Sequence, residues 1–411
     1  MNHGSALRRL FAEKRILPSL DVYDALSVEG FEAAIVRAQA YTDRQRLPTQ
    51  RRREKMKTTG VTQTGCSRRE FLKAAGIGCG AVAVSGPLVF VATPARAAET
   101  FTGVTYLTPA YKALMWGVNK FNEVLKEKGQ GVLTVDFHDS GTLVKADEQV
   151  AALRAGTIHY MFHTASYITR SFKILGVTGL PSLVEELYEH GDRLKMETPL
   201  WKLMNDSLAK DNIFMLTQGG GVLEPEFIWS GAGKKISSLK DLEGSKIRVD
   251  GYEATEALKP YGVASVRVPS SETYLALQRG TVDGAVANIS TVVGRRLFEQ
   301  IKYCFKLPIT AFTIAVYLLK DRWDKLDGKS KAVFWEAGKW FDENYAREIN
   351  GRFYNEEYWP MLKKGGLEVT TPSAADLKDF DAKSRPVWDW WKKEVGEEIG
   401  QRAINYALGK A

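Results

Sequence analysis

The chain has 411 residues, enough for two or three domains, and its 44% hydrophobic and 26% charged content is that of a globular protein with a sizeable core. Its net charge of +8 sits wholly in the front end. The first 97 residues carry 16 Lys/Arg against 8 Asp/Glu, which leaves 41 of each, from totals of 57 and 49, for residues 98–411. A neutral body has no long-range field to draw in phosphate backbones, so nucleic acid is excluded as a partner.

Residues 1–55 do not suit an exported chain, in which a signal should come first. Within residues 1–40, "LRRLFAEKRILPSLDVYDALSVEGFEAAIV" resembles the N-terminus of the isocitrate lyase/phosphoenolpyruvate mutase superfamily. It stops before any catalytic motif. The segment reads as an upstream remnant, with the true start at Met56. Residues 56–97 read as an export signal of the twin-arginine type. Arg68 and Arg69 are followed by Phe71, Leu72 and Lys73, an apolar run spans Ala74 to Ala92, and Ala95-Arg96-Ala97 supplies small residues for cleavage. An uncleaved anchor is the alternative, but the glycines and prolines in the run weaken a membrane helix. Cleavage leaves one cysteine, Cys304, so no intramolecular disulfide can form.

The body repeats itself. "AALRAGTIHYMFHTASY" begins at Ala151 and "LALQRGTVDGAVANIST" at Leu275, an offset of about 124 residues with the Ala-Leu and Gly-Thr pairs in step. Each copy predicts a helix ended by a glycine, then a short strand and a polar loop. Another strand precedes each helix, at 133–138 and 264–268, so each half contains the parallel strand–helix–strand unit. Two such lobes imply a cleft, lined by the loops at 163–167 and 288–291 that follow the strands' carboxyl ends. Residues 330–364 predict one long helix with Gly351 as its weak point, closed by Pro360 and Gly365-Gly366. The tryptophans at 388, 390 and 391 read as packing.

Catalytic signals are thin. The chain has no nucleophile elbow, Walker loop or H-E-x-x-H. His159 and His163 share a strand face without a Cys or carboxylate to complete a metal set. "QGGG" at 218–221 reads as a turn or hinge. In "LEGSKIRVDG" (242–251), burying Ile247 and Val249 turns Lys246, Arg248 and Asp250 to the opposite face. Arg248 could then meet water, a structural carboxylate or a ligand.

The stretch "ISSLKDLEGSKIRVDGYEATEALKPYGVASVRVPSSETYLALQRGTVDGAV" resembles the signature of substrate-binding proteins of tripartite ATP-independent periplasmic (TRAP) transporters, the DctP-like family. "GTLVKADEQVAALRAGTI" and the long helix extend the likeness over most of 101–395. The resemblance implies an α/β, two-lobed periplasmic binding protein fold with a cleft between lobes and a long helix spanning both. Lobe I is expected to take 98–225 plus about 314–350, and lobe II 226–313 plus about 351–411. It implies a periplasmic, monomeric solute receptor, with no catalytic step, cofactor or metal, that delivers a small organic acid to the small and large TRAP membrane subunits.

The family's arginine–carboxylate salt bridge falls on Arg248. A guanidinium suits it, because its planar fork matches two carboxylate oxygens and its charge does not titrate away. Replacing Arg248 by alanine is expected to remove affinity and spare the fold. Many members carry a second arginine where this chain has Glu226 and Phe227, which argues against ligands that need two. Asn288 stands one residue from the family's asparagine, and Ser270 replaces an aromatic residue. Tyr167, Thr164 and Trp229 are expected as walls or hydrogen-bonders. An ATP-driven transporter's binding protein and a twin-arginine-exported enzyme are the rival readings.

Overall fold

A computed structural model describes residues 98–410; the N-terminal segment, the signal and its cleavage site lie outside the described residues. Two sheets organise the body. The first is five-stranded in the order β2-β1-β3-β10-β4. It joins β1 (Glu99–Thr105), β2 (Leu133–His138), β3 (Tyr160–His163), β4 (Ile213–Thr217) and β10 (Ala315–Leu319). The second is six-stranded in the order β11-β9-β5-β8-β6-β7. Its members are β5 (Glu224–Ser230), β6 (Lys246–Val249), β7 (Ala264–Arg267), β8 (Gly284–Ala287), β9 (Tyr303–Phe312) and β11 (Glu368–Thr370).

The two sheets are built alike. In the first, β1 lies between parallel β2 and β3; in the second, β6 lies between parallel β7 and β8. The repeated segments supply the crossovers. Helix Gln149–Arg154 precedes β3, and helix Ser270–Gln278 precedes β8. Each is followed by a glycine with positive φ, Gly156 at 72° and Gly280 at 66°, a conformation that a side chain would oppose. An antiparallel strand then flanks each trio: β10 beside β3 and β5 beside β8. The chain thus exchanges one strand between its halves. This is the two-lobed α/β architecture expected from the sequence.

The long helix links the lobes. It runs from Gly328 to Glu348 in α geometry, from Ile349 to Tyr358 with wider π turns, and from Trp359 to Lys364 in α geometry again. The π stretch contains Gly351 and ends just before Pro360, whose ring would crowd the carbonyl four residues back in an ordinary helix. So the helix passes through its expected weak point at Gly351 and runs on through Pro360, which was expected to help close it, to end at Gly365. Its first part packs on lobe I through Phe334 against Phe101 and Phe341 against Phe121. Its far end stacks Trp359 on Trp229 of lobe II at 5.6 Å. Asp342, midway, accepts from the backbone N–H groups of Met196 and Gly220, which ties the glycine turn at 218–221 to the helix.

Among the described residues no helix is long and apolar enough to cross a membrane. The C-terminal tryptophans pack as expected. Trp388 and Trp391 donate to the carbonyls of Pro181 and Lys173. Cys304 is buried, and burial pushes its thiol up.

Candidate functional site

Arg248 is the third residue of β6, level with Val266 of β7 and Ala285 of β8. Ile247 and Val249 enter the core behind the sheet, so the pleat sends Arg248 to the other face. Its side chain is 2% exposed. Nε donates to the Val268 carbonyl at 2.9 Å and Nη1 to the Val286 carbonyl at 2.8 Å. These carbonyls fix two of the guanidinium's three nitrogens, and Nη2 makes no hydrogen bond among the described residues. Burial works against the charge, but Tyr167, Asp250 and Glu226 together hold its pKa above the usual arginine value.

Around it lies a small cavity of about 10 Å³, room for roughly one water. Lobe I contributes Tyr106, Leu107, Tyr111 and Tyr167, from the segments after β1 and β3. Lobe II contributes Glu226, Arg248, Asp250, Ser270, Asn288 and Thr291, with Phe312 at the end of β9. The parallel strands β1, β3, β6, β7 and β8 lead into it at their carboxyl ends, where open α/β sheets place their ligands.

Two carboxyls face the arginine. Asp250 follows β6 and accepts from the Ser166 hydroxyl at 2.7 Å. Glu226 is on β5 at an irregularity in the pairing with β9, between Glu226 and Ile228. Such a bulge re-aims side chains beside a site. Burial, and then the neighbouring Asp250, push the Glu226 carboxyl well above its usual range, while Arg248 pulls it down. Glu224, two residues earlier, is raised to about 7 by burial, although bonds from Ser290 and Asn288 oppose the shift. It takes the Asn288 Nδ2 donor and both donors of Ser290, so the Asn288 carbonyl oxygen is left over.

The lobes are latched shut around this cavity. Across the cleft, the Ser270 N–H donates to the Tyr167 hydroxyl at 2.8 Å and Arg267 donates to the Tyr167 carbonyl at 3.1 Å. Arg295 donates to the Tyr111 hydroxyl at 2.9 Å. Thr169 donates to Glu253, a carboxyl that burial raises to about 7.

Of the residues expected from the sequence, Arg248, Asn288 and Tyr167 line one cavity, with Tyr106 stacked on Tyr167. Thr164 and Trp229 are not among its walls. Thr164 sits behind, its hydroxyl bonded to that of Ser166 at 3.3 Å. The Trp229 indole is spent on the Ala287 carbonyl at 2.7 Å and on Trp359, so it is packing. His159 accepts from the Thr102 N–H, and His163 faces the carbonyls of Thr164 and Ala146. No group of three metal-ligating side chains converges among the described residues. Thr291 falls in the loop expected to line the cleft, whereas Tyr106, Leu107, Tyr111 and Phe312 were missed, because apolar and aromatic side chains read as packing. Glu226 and Asp250 were visible only as an absent arginine and a strand-face neighbour.

Comparison with known proteins places this geometry. A solute-binding protein of Albidiferax ferrireducens is 26% identical over 338 residues, covering 80% of this chain and 96% of its own length. The 2,3-diketo-L-gulonate-binding periplasmic protein YiaO of Escherichia coli is 23% identical over 289 residues, covering 67% and 82%. The fold is similar to that of the sugar acid binding protein of Advenella mimigardefordensis solved with galactonate, with TM-score 0.66, 22% identity and coverage of 76% and 99%. It is equally similar to a Bordetella pertussis extracytoplasmic solute receptor binding pyroglutamic acid, with TM-score 0.66, 19% identity and coverage of 76% and 100%. The family model for bacterial extracellular solute-binding protein family 7, DctP, matches residues 105–394, from the end of β1 through the second sheet's parallel trio, the arginine strand and the long helix. With most of the chain matched, from the end of the first strand into the last long helix, this protein belongs to that family of extracellular solute-binding proteins.

Proposed function

We propose that this chain is the periplasmic receptor of a TRAP transporter and that it captures a small organic acid between its lobes. The observation that carries this reading is a buried guanidinium already fixed by two backbone carbonyls, with Nη2 still unbonded and the residue lining a small cavity between the strand ends. A carboxylate there meets a preset fork, in a site where water is excluded and charge-assisted bonds are strong. The relatives' names support the class: they include C4-dicarboxylate-binding and 2,3-diketo-L-gulonate-binding periplasmic proteins.

Ligand binding shifts an open–closed equilibrium toward the latched form, which docks as a monomer on the membrane subunits. No covalent step or cofactor is needed. Export follows the twin-arginine route, with the cut after Ala97; N-terminal sequencing of the periplasmic form checks it. A thermal-shift screen of organic acids tests the receptor reading. A ligand at a hundredfold its Kd adds about 2.7 kcal/mol to stability. Stabilisation by neutral sugars or amines, with none by any carboxylate, would overturn it.

A further inference from the structure

We infer that the ligand is zwitterionic: a carboxylate for Arg248, carrying on a neighbouring carbon a protonated amine held by Glu226, Asp250 and Asn288. This rests on the receptor reading and names its substrate class. The inference comes from counting donors and acceptors on the cavity wall. Apart from the proton that Glu226 and Asp250 share, three buried oxygens there have no hydrogen-bond partner: Glu226 Oε2, Asp250 Oδ1 and the Asn288 Oδ1 that Glu224 orients. With both carboxyls ionised all three are acceptors, and a simple carboxylate offers them nothing. An ammonium offers three N–H groups. The Ser270 hydroxyl, also unpartnered, can serve either end.

Charge points the same way. Arg248 is the only cation among the residues lining the cavity, and it already faces Asp250 and Glu226. A bare anion would bring a third acidic group to one guanidinium in a dry site. Glu226 stands in its own strand near Glu224, faces Arg248 of β6 and Asp250 just after it, and shares the cavity with Tyr106, Tyr111 and Tyr167. Burial and the neighbouring Asp250 favour the protonated form of Glu226, and in that form its proton does the work of a cation between the two carboxyls. A ligand ammonium takes the proton's place: Glu226 ionises, and its proton leaves to the solvent.

The test is calorimetry on a panel of 2-aminoalkanoates of two to six carbons. Each is matched with its 2-hydroxy and its unsubstituted acid, in phosphate and in Tris at pH 7. The best amino acid is expected to bind at least 30-fold tighter than both matched acids, with about one proton released per ligand. Glu226→Gln, which keeps the shape, should bring the three within about threefold. A hydroxy or plain acid binding as tightly as its amino partner overturns the inference and leaves the receptor reading standing. So does proton uptake, in which Glu226 would donate to the ligand carboxylate instead. An unchanged preference in Glu226→Gln overturns it too. Binding of alkylamines in place of every acid overturns both readings.

Discussion

Replacing Arg248 by alanine removes more than a ligand contact. The Val268 and Val286 carbonyls lose donors at 2.9 and 2.8 Å, one of them in a fully buried position. A hydrogen bond from a charged donor contributes about 1.5–3 kcal/mol, and an acceptor left dry costs a similar amount. Asp250 also loses its counter-charge. Sparing the guanidinium its desolvation offsets part of this, and one-sided removal of a buried ionic partner costs about 3–5 kcal/mol net. We therefore expect Arg248→Ala to lower unfolding free energy by about 3–5 kcal/mol in urea at pH 7, besides abolishing ligand affinity. Removing Asp250's charge first should relieve part of the penalty. The double variant with Asp250→Asn should fall short of additivity by more than about 1 kcal/mol. A stability loss below about 1 kcal/mol for Arg248→Ala, at unchanged m-value, would refute the structural role assigned to those carbonyl bonds.

Two further outcomes follow from the latches and the buried carboxyls. Tyr167→Phe removes the acceptor of the Ser270 N–H across the cleft. It should cost the closed form about 1–3 kcal/mol, seen as a larger radius of gyration in solution scattering of the free protein and weaker ligand binding. A radius and affinity equal to wild type would count against the latch. Glu253, at about 7 in the fold against an ordinary 4.5, binds its proton more tightly folded than unfolded. Its contribution is therefore full below pH 4.5 and declines through pH 7, by about 3 kcal/mol at most. Glu224 adds a slope of the same sign. Urea midpoints measured from pH 5 to pH 8 should fall, and Glu253→Gln should flatten the profile; an equally steep profile in the variant would rule Glu253 out as its source.

The halves of the fold were legible because their signals are local. The twin Gly-Thr pairs mark a positive-φ helix end followed by a strand, and both copies fold that way. Arg248 was legible in direction, since period two needs only Ile247 and Val249 in the core. The first-lobe wall was not. Tyr111 reaches the site because lobe closure brings it to Arg295, 184 residues away, and nothing in its own neighbourhood distinguishes it from a core tyrosine. The Glu226 bulge and the π turns before Pro360 were also hidden, because a periodic pattern assumes regular geometry. Trp229 failed in the opposite way. Its position near the arginine strand suggested a wall, yet an indole with a carbonyl and a second indole to satisfy it goes to the core.

The choice of arginine over lysine at 248 also follows from atoms rather than charge. Nε and Nη1 are spent on Val268 and Val286, so the side chain is held in place before any ligand arrives. What remains is one edge of a planar fork, already aimed and already desolvated. Binding then needs little further ordering of this side chain, which saves about 0.5–1.5 kcal/mol relative to a free one. A lysine has all its donors on a single nitrogen at the end of a flexible stem. It could serve the two carbonyls or the carboxylate, but one nitrogen cannot lie in the plane of the strand ends and at the cavity at once. The same division explains why Glu226 need not be a second arginine. On the receptor reading proposed above, one preset guanidinium is enough for the ligand's acid, and the opposite wall is free to read the group beside it.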